Sequence, residues 1–93
     1  MDSIDTAVGK VIASVYRKKL LMALAESTMT PSQIADTTEL NRTHVSRYLR
    51  ELGDYGLVKC AAPTLRKGKL YSITELGLAT LKRVSDLESK AKR

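Results

Sequence analysis

Between Asn41 and Asp54 the chain sets Arg42, Thr43, Ser46, Arg47 and Arg50 at intervals of one, three and four residues. On a helix such intervals line one side of the cylinder. A guanidinium donates hydrogen bonds in a rigid fork and accepts none, whereas a hydroxyl does both, so the set suits phosphate oxygens and the acceptor-rich edges of nucleobases. An arginine spanning O6 and N7 of guanine contributes about 1 to 3 kcal/mol of discrimination. His44 lies next to this face, turned partly sideways, and Arg50, further along, is placed for a phosphate. A second cationic group, Arg66, Lys67 and Lys69, follows around Gly68.

Catalytic chemistry finds little to work with. The chain holds one His and one Cys, its carboxylates are scattered without an acid and base pair, and Gly68 stands alone in its loop rather than in a phosphate-cradling motif. One Cys and one His cannot close a tetrahedral metal site within a protomer. The reading is therefore a non-enzyme with no cofactor and no metal.

The distribution of charge sharpens the point. The 93 residues carry a formal net charge of +6. Residues 42 to 69 hold seven basic and two acidic side chains, against nine and eight elsewhere, so the excess sits in the middle of the chain, where a polyanion would dock. The length predicts one small domain and no multidomain enzyme. Hydrophobic residues make up 43% with no Trp and no Phe, so the core must be aliphatic. The longest apolar stretch, Leu20 to Ala25, is far short of the ~20 residues of a membrane span, and the acidic, polar opening MDSIDT does not read as a signal peptide. A cytoplasmic location follows, with no membrane partner.

Stepwise patterning predicts the elements that must position these groups. Residues 4 to 26 read as one helix with two apolar faces, Ala13, Tyr16, Leu20 and Leu24 toward the core and Val8, Val11, Ile12 and Val15 toward a partner chain; Arg17, Lys18 and Lys19 form a solvated edge between them. Thr30-Pro31-Ser32-Gln33 is a capping box opening a short helix to about Thr37, and Asn41 caps a second, from Arg42 to about Tyr55, with Val45, Leu49 and Leu52 inward. Gly56 closes it in a left-handed cap. Leu57 to Ala61 and Lys69 to Ile73 form a hairpin with Pro63 to Gly68 at its tip, and Thr74 caps a last helix from Glu75 at least to Leu87, followed by a frayed, charged tail. Tyr48, Tyr55 and Tyr71 belong to the core or its rim. Ser46 has a competing role as a small residue against the preceding helix.

The run SQIADTTELNRTHVSRYLRELGDYGLV, followed by GKLYSITELG, resembles winged helix-turn-helix transcription regulators of the MarR-like and ArsR-like classes, and the size and style are similar to small proteins of hyperthermophilic crenarchaea or their viruses. The resemblance covers roughly residues 16 to 81 and rests on the IA pair, V-S-x-x-L-x-x-L, G-L-V and Y-S-I-T-E-L-G in order. It implies a mainly α chain with a small β-hairpin wing (α+β): a winged helix-turn-helix with a three-helix core and a C-terminal helix, spanning 1–93 as one domain (1–26, 30–55, 57–73 and 74–93). It further implies a sequence-specific double-stranded DNA-binding transcription regulator acting as a homodimer on a pseudo-palindromic operator. The recognition helix carries Arg42, Thr43, His44, Ser46, Arg47 and Arg50 into the major groove, and the wing sets Arg66, Lys67 and Lys69 on the backbone or in the minor groove. Dimerisation would use Val8, Val11, Ile12 and Val15 with Leu78, Leu81, Val84 and Leu87. No small-molecule effector is evident. The location becomes the host cytoplasm if the chain is viral.

Two other uses of such a fold stay open at this point: a protein-interaction adaptor, against which the basic face argues, and a sequence-indifferent chromatin-like binder. Cys60 has two readings as well, a thiol buried in the wing strand or an intermolecular disulfide.

Overall fold

A computed structural model describes residues 3–62 and 69–91. The element order is α1 (Ser3–Ile12), α2 (Val15–Glu26), α3 (Pro31–Thr38), α4 (Arg42–Asp54), β1 (Val58–Ala62), β2 (Leu70–Ile73) and α5 (Glu75–Ala91). Two helices thus replace the single N-terminal helix expected over 4–26. The break is chemical: Ser14 leaves the helical region at φ −140° and ψ 117°, and its side chain accepts from Arg17 N to cap α2. Serine competes with helical backbone bonding in this way wherever a cap is available. A turn at this point lets α1 fold across α5 while α2 enters the core.

The break also redistributes the two apolar faces. Val8 and Val11 are buried beside Ala7 in the chain's own core, with Leu20, Leu21 and Leu24 from α2, whereas Ile12, Val15 and Tyr16 are exposed. Ala13, expected inside, is exposed as well. Ile34, Val45, Leu49, Leu52, Leu57, Val58 and Val84 complete the core, which is aliphatic throughout as the composition requires.

Local signals place α3 and α4 within a residue of their expected bounds. Gln33 N donates to Thr30 Oγ1 at 3.2 Å and Thr30 N to Gln33 Oε1 at 2.9 Å, the reciprocal pair of a capping box. Between the helices Glu39 takes a left-handed φ of 63°, and the buried Thr38 hydroxyl donates to Ile34 O at 2.7 Å. His44 N then donates to Asn41 Oδ1 at 2.9 Å, capping α4. At its far end Gly56 has φ 80°, with Leu57 N bonded to Leu52 O and Gly56 N to Gly53 O. This double closure satisfies the last carbonyls and needs the left-handed glycine.

Strands β1 and β2 pair antiparallel with Val58 opposite Ile73 and Cys60 opposite Tyr71, and the register shifts between Cys60 and Ala62. Met29, just before α3, adds an unforeseen third partner, since its N–H donates to Tyr71 O at 3.1 Å and its carbonyl accepts from Tyr71 N at 2.8 Å. The wing root is thereby tied directly to the start of the helix pair. Thr74 Oγ1 accepts from Gly77 N at 3.0 Å and donates to Gly56 O at 2.7 Å, so one side chain caps α5 and fastens it to the end of α4. Helix α5 runs on to Ala91 where a frayed tail from Glu88 was expected, and Lys18 forms an ion pair with Glu88. Among the described residues no helix is long and apolar enough to cross a membrane.

Candidate nucleic-acid interface

Helix α4 is sharply two-sided. Val45, Leu49 and Leu52 are buried, and Arg42, Thr43, His44, Ser46, Arg47 and Arg50 are all exposed. Ser46 is therefore free of the small-residue packing role open to it from sequence. The Asn41 cap fixes where the exposed face begins, and its N-terminal half carries the hydroxyls together with two of the arginines.

What holds the helix in place was missed from sequence. Arg17, expected as part of a solvated edge, is the central fastener: its Nε donates to Glu51 Oε1 at 3.0 Å and its Nη1 to Lys10 O at 2.8 Å. Its guanidinium also lies 6.0 Å from the Tyr55 ring centroid, with Lys10 Nζ 5.8 Å from the same ring. One side chain thus ties the end of α1 to α2 and α4. The signal in sequence, an Arg on α2 with a Glu on α4, has no local pattern, because the two are 34 positions apart.

Arg47 stands at the outer edge of this assembly. Its Nε is 3.9 Å from Glu51 Oε2 and its Cζ is 5.3 Å from the Tyr48 ring centroid, and its side chain remains 63% exposed. Tyr48 is half-buried at the rim of the core, with Tyr16 6.0 Å and His44 6.5 Å away between ring centroids. A guanidinium stacked on an aromatic face and loosely paired one turn along is ordered without being consumed.

From α4 an open groove of about 400 Å³ leads to the wing root, bordered by Ser46, Arg50, Pro31, Asp54, Lys69 and Tyr71. Arg50 and the exposed Lys69 set two cations on it, and Asp54 one carboxylate. Arg66 and Lys67, expected at the wing tip, lie outside the described residues. Cys60 is half-buried in β1.

A second opening, about 260 Å³, lies between the ends of α2 and α3 beside Met22, Met29 and Thr38. Among the described residues no three His, Cys, Asp or Glu side chains gather so as to hold a metal ion.

Of the eight residues expected at a dimer surface, Val8, Val11 and Val84 are corrected: each is buried within the chain's own core, because the turn at Ser14 swings α1 onto α5. Leu81 is half-buried against the core. Ile12, Val15, Leu78 and Leu87 are exposed, as are Tyr16 and Met22, which sequence reasoning had not placed there.

Several known proteins share this architecture. The chain is similar to Lactococcus lactis ZitR, a zinc-responsive MarR family member, in a variant solved in complex with DNA: identity is 26%, TM-score 0.70, covering 83% of this chain and 53% of that one. It is also similar to the homodimeric winged helix-turn-helix DNA-binding domain of Mb0332 from Mycobacterium bovis, a possible ArsR-family transcriptional regulator (26% identity, TM-score 0.71, covering 96% and 79%). The MarR family transcription regulator SP03579 matches in fold, at 21% identity and TM-score 0.77 over 96% of this chain and 61% of that one. The chain thus spans about half the length of the solved ZitR chain. No curated protein matches it. The architecture is a winged helix-turn-helix of the MarR and ArsR kind, and the match of one family model to residues 5–93 makes the chain a member of the HVO_A0261 N-terminal domain family.

Proposed function

We propose that the chain is a DNA-binding transcription regulator that reads duplex sequence as a homodimer, with α4 in the major groove and the wing on the backbone or in the minor groove. The observation that carries this is the exposed face of α4. Six polar or basic side chains stand clear of the core on a helix whose N-terminus is capped, and the groove beside it continues the positive charge to Lys69. A helix presented in this way fits a major groove about 12 Å wide. Support also comes from ZitR, solved with DNA, and from Mb0332, described as a homodimer.

Arg42 and Arg47 are assigned to base edges, Thr43, His44 and Ser46 to bases or phosphates, Arg50 and Lys69 to phosphates, and Arg66 and Lys67 to the backbone or minor groove. Self-association is assigned to Ile12, Val15, Leu78 and Leu87, the exposed apolar residues near the α1–α5 pair. A twofold dimer sets its recognition helices about 34 Å apart and requires a pseudo-palindromic site. Cys60, half-buried opposite Tyr71, fits a thiol packed in the wing strand.

Selection of bound duplexes from a random pool, followed by titration of the winner and of a mixed-sequence duplex, tests the reading. Arg47→Ala is expected to weaken the selected site far more than the mixed one. Lys69→Gln should weaken both alike and lower the salt slope by about one. A specificity ratio near one for the wild type makes the chain a sequence-indifferent binder, and no shift at low salt removes DNA as the partner.

A further inference from the structure

We infer that Glu51 is a specificity-determining residue of α4: it orients Arg47 with one carboxylate oxygen while Arg17 anchors the other. The inference rests on the DNA-reading role proposed for α4. Glu51 lies one helical turn beyond Arg47, where an Oε2 to Nε separation of 3.9 Å is a loose pairing. Its Oε1 is held from behind at 3.0 Å by Arg17, which Lys10 O and the Tyr55 ring fix in turn. The exposures grade outward, at 19% for the Arg17 side chain, 30% for Glu51 and 63% for Arg47. The carboxylate is therefore hydrogen-bonded firmly from behind by Arg17 and only loosely paired with the exposed Arg47.

Two consequences follow for binding. An arginine already aligned between Glu51 and the Tyr48 ring loses less rotamer freedom when it meets a base. A fixed anion beside the reading face also repels phosphates, which every duplex carries. That repulsion weakens every duplex, whereas the alignment of Arg47 helps only a duplex that presents guanine acceptors to it. The carboxylate thus widens the gap between right and wrong duplexes: it lowers affinity for the wrong one, and the alignment of Arg47 sustains affinity for the right one.

Glu51→Gln is expected to raise affinity for a mixed-sequence duplex about threefold or more, to steepen its salt slope by about one, and to lower the specificity ratio at least about fivefold. Arg17→Gln combined with Glu51→Gln keeps the net charge and leaves no lone half-buried ion, so it carries the test if the single variant does not fold. The same fall in ratio is expected there. Asp86→Asn, which removes an equal charge from the exposed face of α5, should leave the ratio within about twofold. A ratio within twofold of wild type in a folded Glu51 variant overturns the inference, as does an equal fall in Asp86→Asn. A wild type that binds neither duplex removes the functional reading and the inference together, whereas discrimination that survives the Glu51 substitutions overturns the inference alone.

Discussion

One substitution at two glycines should act with opposite signs. Gly77 is the third residue of α5, in its first turn, and a Cβ built there would lie 2.2 Å from Leu57 O and 2.6 Å from Ile73 Cγ1. Relief requires a shift of about 1 Å, and the nearest atom is backbone. Leu57 O also accepts from Thr74 N at 2.9 Å, and Thr74 caps α5, so the shift strains the corner where α4, the wing and α5 meet. Overpacking costs about 1 to 3 kcal/mol and a compromised buried hydrogen bond about 1 to 3 kcal/mol, against roughly 1 kcal/mol regained from helix propensity. Gly77→Ala should thus destabilise by about 3 kcal/mol. At 4 to 8 °C per kcal/mol for a domain of this size, Tm falls by roughly 12 to 24 °C. Gly9, inside α1, has nothing within 4 Å of the same added atom, so Gly9→Ala should stabilise by about 0.5 to 1 kcal/mol. Circular dichroism melts and urea titrations with unchanged m-values measure both. A Gly77→Ala variant that melts within about 3 °C of wild type, or above it, refutes the close-approach argument.

Other outcomes follow from equally local causes. The Thr80 hydroxyl is fully buried without a hydrogen-bond partner among the described residues, so Thr80→Val should raise stability by about 1 kcal/mol in a urea titration. Asn41→Ala removes the acceptor of His44 N and should cost about 1 kcal/mol; amide exchange should quicken first at the start of α4. Leu78→Asp, at a residue 49% exposed, should leave the melt nearly unchanged yet shift sedimentation toward a monomer. The same substitution at Val84, which is fully buried, should unfold the chain instead.

Much of the site was legible in order along the chain. The capping box at Thr30, the caps at Asn41 and Thr74, the left-handed Gly56 and the two-sided pattern of α4 are all interactions within a few residues, and the structure reproduces each. The glycine of the T-E-L-G segment was legible as a motif, and its reason, the approach to Leu57 O, was not. The N-terminal region failed for a different cause. Apolar periodicity runs through Ser14 without interruption, and only the local capping of α2 by that serine divides it.

The order of charges and caps in the sequence alone determined a basic two-sided helix followed by a hairpin, because helix periodicity and capping act over three or four residues. Tertiary structure decided which apolar residues remain outside, since Val8, Val11 and Val84 are buried only by the folding of α1 across α5. It also decided how the reading face is held. Arg17 and Glu51 meet across two helices, and a contact between distant positions leaves no trace in local pattern until the chain has closed around it.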